Sequence, residues 1–172
     1  MSPRQFLQSA TDARNAVREL LQGIFAAELL SPSRCLWIVS PWLRDVPVLD
    51  NTTAGFVSLC PEFPRSEVRL SRVLRELLRR GTQVVIATRP EAGNRQVIDG
   101  LGERGRSSGF TFHERRDLHA KGIVGDHYSL TGSMNLTYNG LEYLTEMLVF
   151  QTEPAEVEPI RLAFRSEYGG VA

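Results

Sequence analysis

The segment Leu118-His119-Ala120-Lys121-Gly122-Ile123-Val124 sets an imidazole and a primary ammonium two residues apart. In an extended strand that spacing sends both side chains out of the same face. A nucleophilic imidazole beside a cation that holds an anionic substrate needs that placement. Shortly after comes Thr131-Gly132-Ser133-Met134-Asn135, where a glycine admits close backbone approach and a hydroxyl and an amide follow it. Hydrogen-bond donors so spaced suit the oxygens of a phosphate group. Lys121 is also the single lysine among 20 basic residues, the other 19 being arginine. That usage suggests a position that takes an ammonium rather than a guanidinium. Each fragment alone is common; their succession carries the weight.

These side chains need a scaffold, and the apolar periodicity supplies one. Ala13, Ala16, Val17, Leu20, Leu21, Ile24 and Phe25 recur at helical spacing, so residues 11–30 are expected to be an amphipathic helix within an N-terminal helical region, 1–33. Ser9 or Thr11 is its expected cap. CLWIVS (35–40) is a short β-prone run ended by Pro41 and is expected to be a buried strand. Residues 41–65 hold four prolines and no sustained period. They are expected to form an irregular loop, a lid or an interface. Trp42 and Arg44 are its most chemically useful side chains, unless they are merely an edge-packed ring and a solvated cation.

Val68, Leu70, Val73, Leu74, Leu77 and Leu78 form a helical stripe that ends at Gly81. Arg65, Arg69, Arg72, Arg75, Arg79 and Arg80 flank it, as a solvated face or a track along a phosphate backbone. TQVVIAT (82–88) and FTFH (110–113) are further strands, with a weakly helical segment (91–108) between them. Residues 118–124 and 128–131 make a hairpin around Gly125-Asp126-His127; 143–151 is a strand and 154–168 a closing helix. This order predicts an α/β fold, an α/β/α sandwich around a central mixed β-sheet.

The 172 residues fit a single domain, 1–172, and 42% apolar with 23% charged residues is the composition of a globular chain. No apolar run nears the ~20 residues of a membrane span, and the N-terminus lacks the features of a signal peptide. Cytoplasmic residence is the expectation. Cys35 and Cys60 form neither a zinc spacing nor a redox pair and are expected as core or loop thiols. The 20 basic and 20 acidic residues cancel, which removes any global pull toward nucleic acid. Locally, residues 65–121 carry 13 basic and 7 acidic groups, and residues 122–172 carry 2 and 7.

His119-x-Lys121, four residues, Asp126, then Gly132-Ser133-x-Asn135 resembles the HKD signature of the phospholipase D superfamily. Leu77–Ile86 is similar to the helix–glycine–strand unit that precedes the motif there, and Glu146 stands where small nucleases of the family carry an acidic partner for the histidine. The similarity is strong over 117–150 and extends over 34–168; the first 30 residues and 41–65 lie outside it. Five residues, His127 to Thr131, separate Asp126 from Gly132-Ser133 where relatives usually have six. The turn is therefore shortened, which touches Asp126 more than His119 or Lys121. In the family this Asp and the motif glycine are structural.

The resemblance implies a phospholipase D-like fold and a phosphodiesterase that needs no metal and no cofactor. His119 would attack phosphorus and form a phosphohistidine. Lys121 and Asn135, with Ser133, would bind and orient the phosphoryl oxygens. Glu146 would fix the imidazole tautomer. Two histidines are needed and the chain has one motif. His127 is too far along the hairpin and His113 is expected to be structural, so a homodimer with one composite site is implied. Nucleic acid is the expected substrate, and protein partners in a bacterial defence or DNA-modification system are a context by analogy alone. Two alternatives stay open. One is a catalytically silent dimeric module that binds phosphate or nucleic acid. The other is a lipid phosphodiesterase, for which the 11–30 helix, with Arg14 and Arg18 against Asp12, Glu19 and Glu28, lacks a basic face.

Overall fold

Cys35–Val39 is buried at every residue, and its side chains alternate between two cores. Leu36 and Ile38 join the larger; Cys35, Trp37 and Val39 join the smaller. In the computed structural model, which describes residues 4–8, 11–105, 109–143 and 145–171, this strand lies within a seven-stranded sheet. The elements are β1 (Arg4–Gln8), α1 (Thr11–Leu30), β2 (Cys35–Val39), β3 (Pro47–Asp50), β4 (Glu67–Arg69), α2 (Leu70–Arg79), β5 (Gln83–Thr88), α3 (Arg95–Gly105), β6 (Phe110–Glu114), β7 (Gly122–Val124), β8 (Ser129–Gly132), α4 (Tyr138–Glu142), β9 (Glu146–Gln151) and α5 (Pro154–Tyr168).

The main sheet runs β1-β9-β8-β7-β2-β5-β6. β2, β5 and β6 are parallel, and the remaining pairings are antiparallel. Strands covered on both faces must be apolar throughout, which is why CLWIV and QVVIAT show no alternation. Val84 and Ile86 face the larger core with α1, α2 and α3, while Val85 and Ala87 face the smaller core beneath Phe164 and Tyr168 of α5. The mixed sheet with helices on both faces is the α/β/α sandwich expected. Both thiols are buried, and burial pushes that of Cys35 up to about 12. Among the described residues no helix is long and apolar enough to cross a membrane.

Several expectations are corrected. The N-terminal region opens with a strand: β1 pairs antiparallel with β9, from Arg4↔Phe150 to Gln8↔Glu146. Ser9, one of the two expected caps, and the side chains of residues 11–14 lie outside the described residues. The 41–65 segment is irregular as expected except for one short strand, and it is packed down and not an open lid. Pro47–Asp50 pairs with Glu67–Arg69, and Val46, Leu49, Cys60 and Phe63 are buried in the larger core. Buried Asn51 closes the intervening loop, accepting from Phe56 N–H at 2.9 Å and donating to the Pro64 carbonyl at 2.8 Å. Prolines at 47, 61 and 64 hid this order, because they break the alternation that marks a strand.

The arginine row of α2 is engaged within the molecule. Arg72 donates to the Glu62 carbonyl, Arg69 to the Tyr138 hydroxyl at 2.8 Å, and Arg75 to the Gly100 carbonyl. Arg79 and Arg80 hold the buried Glu76 at 2.7 and 2.6 Å. Hydrogen bonding from Arg79, against the cost of burial, brings the Glu76 carboxyl down to about 2. Five of the six arginines are thus held by bonds within the molecule, and Arg65 is exposed.

Candidate active site

Strand register gathers the chemistry at one end of the sheet. Val39, which ends β2, pairs with Gly122, which opens β7. Gly122 pairs with Thr131 in β8, and Gly132 pairs with Leu148 near the start of β9. Five segments therefore meet there: the turn after β2, the end of β5, the arm before β7, the turn after β8 and the first residues of β9.

His119 and Lys121 belong to that arm and not to the strand, which begins at Gly122. Their placement comes from a local bond in place of strand alternation: the Lys121 ammonium donates to the His119 carbonyl at 2.6 Å. Partial burial holds the ammonium below the ordinary lysine range; Glu146 opposes that shift and Arg89 adds to it. The His119 ring is exposed. Among the described residues it has no hydrogen-bond partner, so the bond to Glu146 that the resemblance implies does not form.

Gly132 has φ +152°, and a Cβ there would lie 2.0 Å from the Met147 carbonyl oxygen. Only glycine permits this approach. It lets Ser133 N–H donate to that same carbonyl at 3.0 Å, turning the chain out of the sheet. The Ser133 hydroxyl donates to the buried Glu146 carboxylate and accepts Met147 N–H at 3.0 Å. A hydroxyl has one proton, so in this arrangement Ser133 holds Glu146 in place and has none to offer a phosphoryl oxygen. Asn135 Oδ1 accepts Trp42 N–H at 3.4 Å, which leaves the Nδ2 amide as its donor.

His119, Lys121, Ser133 and Asn135 line a single open cleft together with Trp42 and Met147. Asp126 is not there. It lies beyond the opposite end of β7, accepting Arg34 N–H at 2.9 Å and pairing with Arg161 at 3.2 Å. It clamps the start of β2 and helix α5 to the shortened hairpin turn. His127 is exposed in that turn. His113 is tied by Nε2 to the Tyr168 carbonyl at 2.8 Å. Arg44 points its guanidinium to Asn94 and Glu91, at 2.9 and 2.8 Å, a structural cation.

Two residues of the site escape sequence reasoning. Arg89, just past β5, stacks its guanidinium 5.0 Å from the Trp42 ring centroid and donates to the Leu118 carbonyl at 2.8 Å. Asn94 is fully buried. It accepts Leu43 N–H at 2.8 Å and donates to the carbonyls of Pro41 and Arg89 at 2.9 and 2.8 Å. The sole signal was the place of Arg89 directly after a buried strand.

The family model described as "Cardiolipin synthase, PLD-like domain" matches residues 48–168. The chain belongs to the phospholipase D superfamily. The PLD-like fold extends beyond that stretch in the comparison of structures. Nuc from Salmonella typhimurium, a phospholipase D family member, is 18% identical with TM-score 0.57, over 96% of this chain and 92% of that one. NucT from Helicobacter pylori is 12% identical with TM-score 0.60, over 96% and 94%. Polyphosphate kinase from Porphyromonas gingivalis is 15% identical with TM-score 0.57, over 95% of this chain and 25% of its own. At these identities the likeness is one of fold. It takes in most of the first 30 residues and the 41–65 segment, which the motif resemblance left out. No match was found among curated protein sequences. Membership gives the PLD-like site a chemistry of phosphodiesterase type at the level of the superfamily.

Proposed function

We propose that the protein is a metal-independent phosphodiesterase that cleaves DNA or RNA through a phosphohistidine on His119, at a site completed by a second copy of the chain. The observation that carries this reading is the shared cleft of His119, Lys121 and Asn135 beside the Gly132–Ser133 turn. An exposed imidazole without a partner among the described residues keeps a lone pair for attack on phosphorus. The Lys121 ammonium and the Asn135 amide meet the negative oxygens as the P–O bond to the leaving group breaks.

The departing alkoxide oxygen needs a proton, and water must later be deprotonated to attack the phosphohistidine and release it. With His113 tied to Tyr168 and His127 at the far end of β7, neither supplies that acid. Two-fold association brings the His119 of another copy to face the first, one as nucleophile and one as acid and then base. Glu146 acts on the cleft electrostatically, through its field on Lys121, and is itself held by Ser133.

The test is intact-mass measurement after rapid alkaline quenching of a reaction with a phosphodiester. A mass increase equal to the transferred phosphoryl group, absent from His119→Ala, is expected. An adduct that persists in His119→Ala overturns the assignment.

A further inference from the structure

Of the two tryptophans, Trp37 is fully buried whereas Trp42 is 40% exposed and lines the cleft beside His119 and Lys121. A large aromatic surface left in water next to a phosphate-binding pocket has an energetic cost unless a ligand covers it. Trp42 is not loosely hung there. Its main-chain N–H donates to Asn135 Oδ1, its carbonyl accepts the Ser40 hydroxyl at 2.7 Å, and the same hydroxyl takes Leu136 N–H at 3.1 Å. The ring is backed by the Arg89 guanidinium at 5.0 Å, an electrostatically favourable cation–π contact. Buried Asn94 spans both supports by bonding the Pro41 and Arg89 carbonyls. One fully satisfied amide therefore fixes the spacing of the two backbone segments that carry ring and guanidinium, and a second, Asn135, ties the Trp42 backbone to the turn that forms the pocket.

We propose that the Trp42–Arg89 pair is a stacking platform that seats the nucleobase next to the scissile phosphate, making single-stranded nucleic acid the substrate class. This deepens the phosphodiesterase reading and rests on it for the position of the phosphate. Stacking on an indole accepts every base because each has a π-face. In a duplex, neighbouring bases already cover those faces, so a paired strand would have to unstack first. A lipid phosphodiester offers the platform no flat ring.

Two measurements test it. Trp37 is shielded in the core, so ligand-induced changes in tryptophan fluorescence report Trp42. In His119→Ala, which binds without turning over, a short single strand is expected to quench that fluorescence, and the same strand built from abasic sugar units is not. In the otherwise unaltered protein, Trp42→Leu is expected to raise KM about tenfold on the base-bearing strand, the scale of one stacked base. It should leave KM on the abasic strand unchanged, and Trp42→Phe should retain most of the affinity. Turnover without base-dependent quenching, or a Trp42→Leu effect equal on both strands, overturns the platform and leaves the phosphodiesterase reading standing. Base-dependent quenching without turnover by the unaltered protein keeps the platform and overturns catalysis.

Discussion

The Ser133 hydroxyl and the Glu146 carboxylate are bonded across the β8–β9 pairing, and Met147 N–H at 3.0 Å fills the acceptor side of the same hydroxyl. Glu146 is 6% exposed, so this bond satisfies a carboxylate that burial would otherwise penalise. Ser133→Ala is expected to cost about 1–3 kcal/mol of stability, the penalty for leaving a buried polar group unpaired. Its effect on turnover should be far smaller than that of removing His119. In a double-mutant cycle with Glu146→Gln the two losses should not add. Additive losses would mean that the two side chains are not coupled.

Gly132 stands at a backbone conformation that other residues rarely adopt, with the Met147 carbonyl where a Cβ would sit. Gly132→Ala should destabilise the fold by at least about 1–3 kcal/mol through backbone strain alone. Any folded fraction should lose activity, because Asn135 is positioned from this turn. Thermal melts followed by activity assays on the folded material check both points.

The charge of Lys121 is set between two neighbours. Burial lowers its pKa most; among its charged neighbours Glu146 raises it and Arg89 lowers it. Replacing Glu146 by Gln removes the supporting charge, so the ammonium should deprotonate at lower pH. Arg89→Gln should have the opposite effect. Measured with inorganic phosphate in the alkaline range above the dianion's own titration, affinity should fall off earlier in Glu146→Gln and later in Arg89→Gln. Identical alkaline limbs in all three proteins would detach Lys121 from the phosphate site.

Glu76 gives the fold an acid sensitivity. Its carboxyl lies at about 2 in the folded chain against an ordinary 4.5. A carboxyl depressed on folding stabilises above its unfolded pKa and loses that contribution as pH falls toward the folded value. Tm of the unaltered protein should therefore drop between these two pH values more than that of Glu76→Gln. At neutral pH the variant should be less stable by about 1–2 kcal/mol, a modest figure because Arg79 is largely exposed. At the acid end of the window the two proteins should converge.

What was legible in the chain is what local pattern encodes. CLWIV and TQVVIAT are apolar on both faces of their strands, and Val17, Leu21, Ile24 and Phe25 mark α1, so the sandwich follows from periodicity. His119, Lys121, Gly132 and Asn135 were legible because their spacing is short. β1 was missed because RQFLQ has too few residues and too little apolar character to signal a strand; its order comes from pairing with β9. β3 was missed because Pro47 opens it. The Ser133–Glu146 bond depends on cross-strand register. The Trp42–Arg89 stack is framed by Asn94, a residue whose four hydrogen bonds are meaningful only once the 41–44 and 89–94 segments meet.

The most direct test of the central claim is hydrolysis of a chromogenic phosphodiester in excess EDTA by the unaltered protein and by His119→Ala. The account predicts turnover that survives chelation and disappears in the variant. Equal hydrolysis by both proteins, or activity that chelation abolishes and a divalent cation restores, would contradict it.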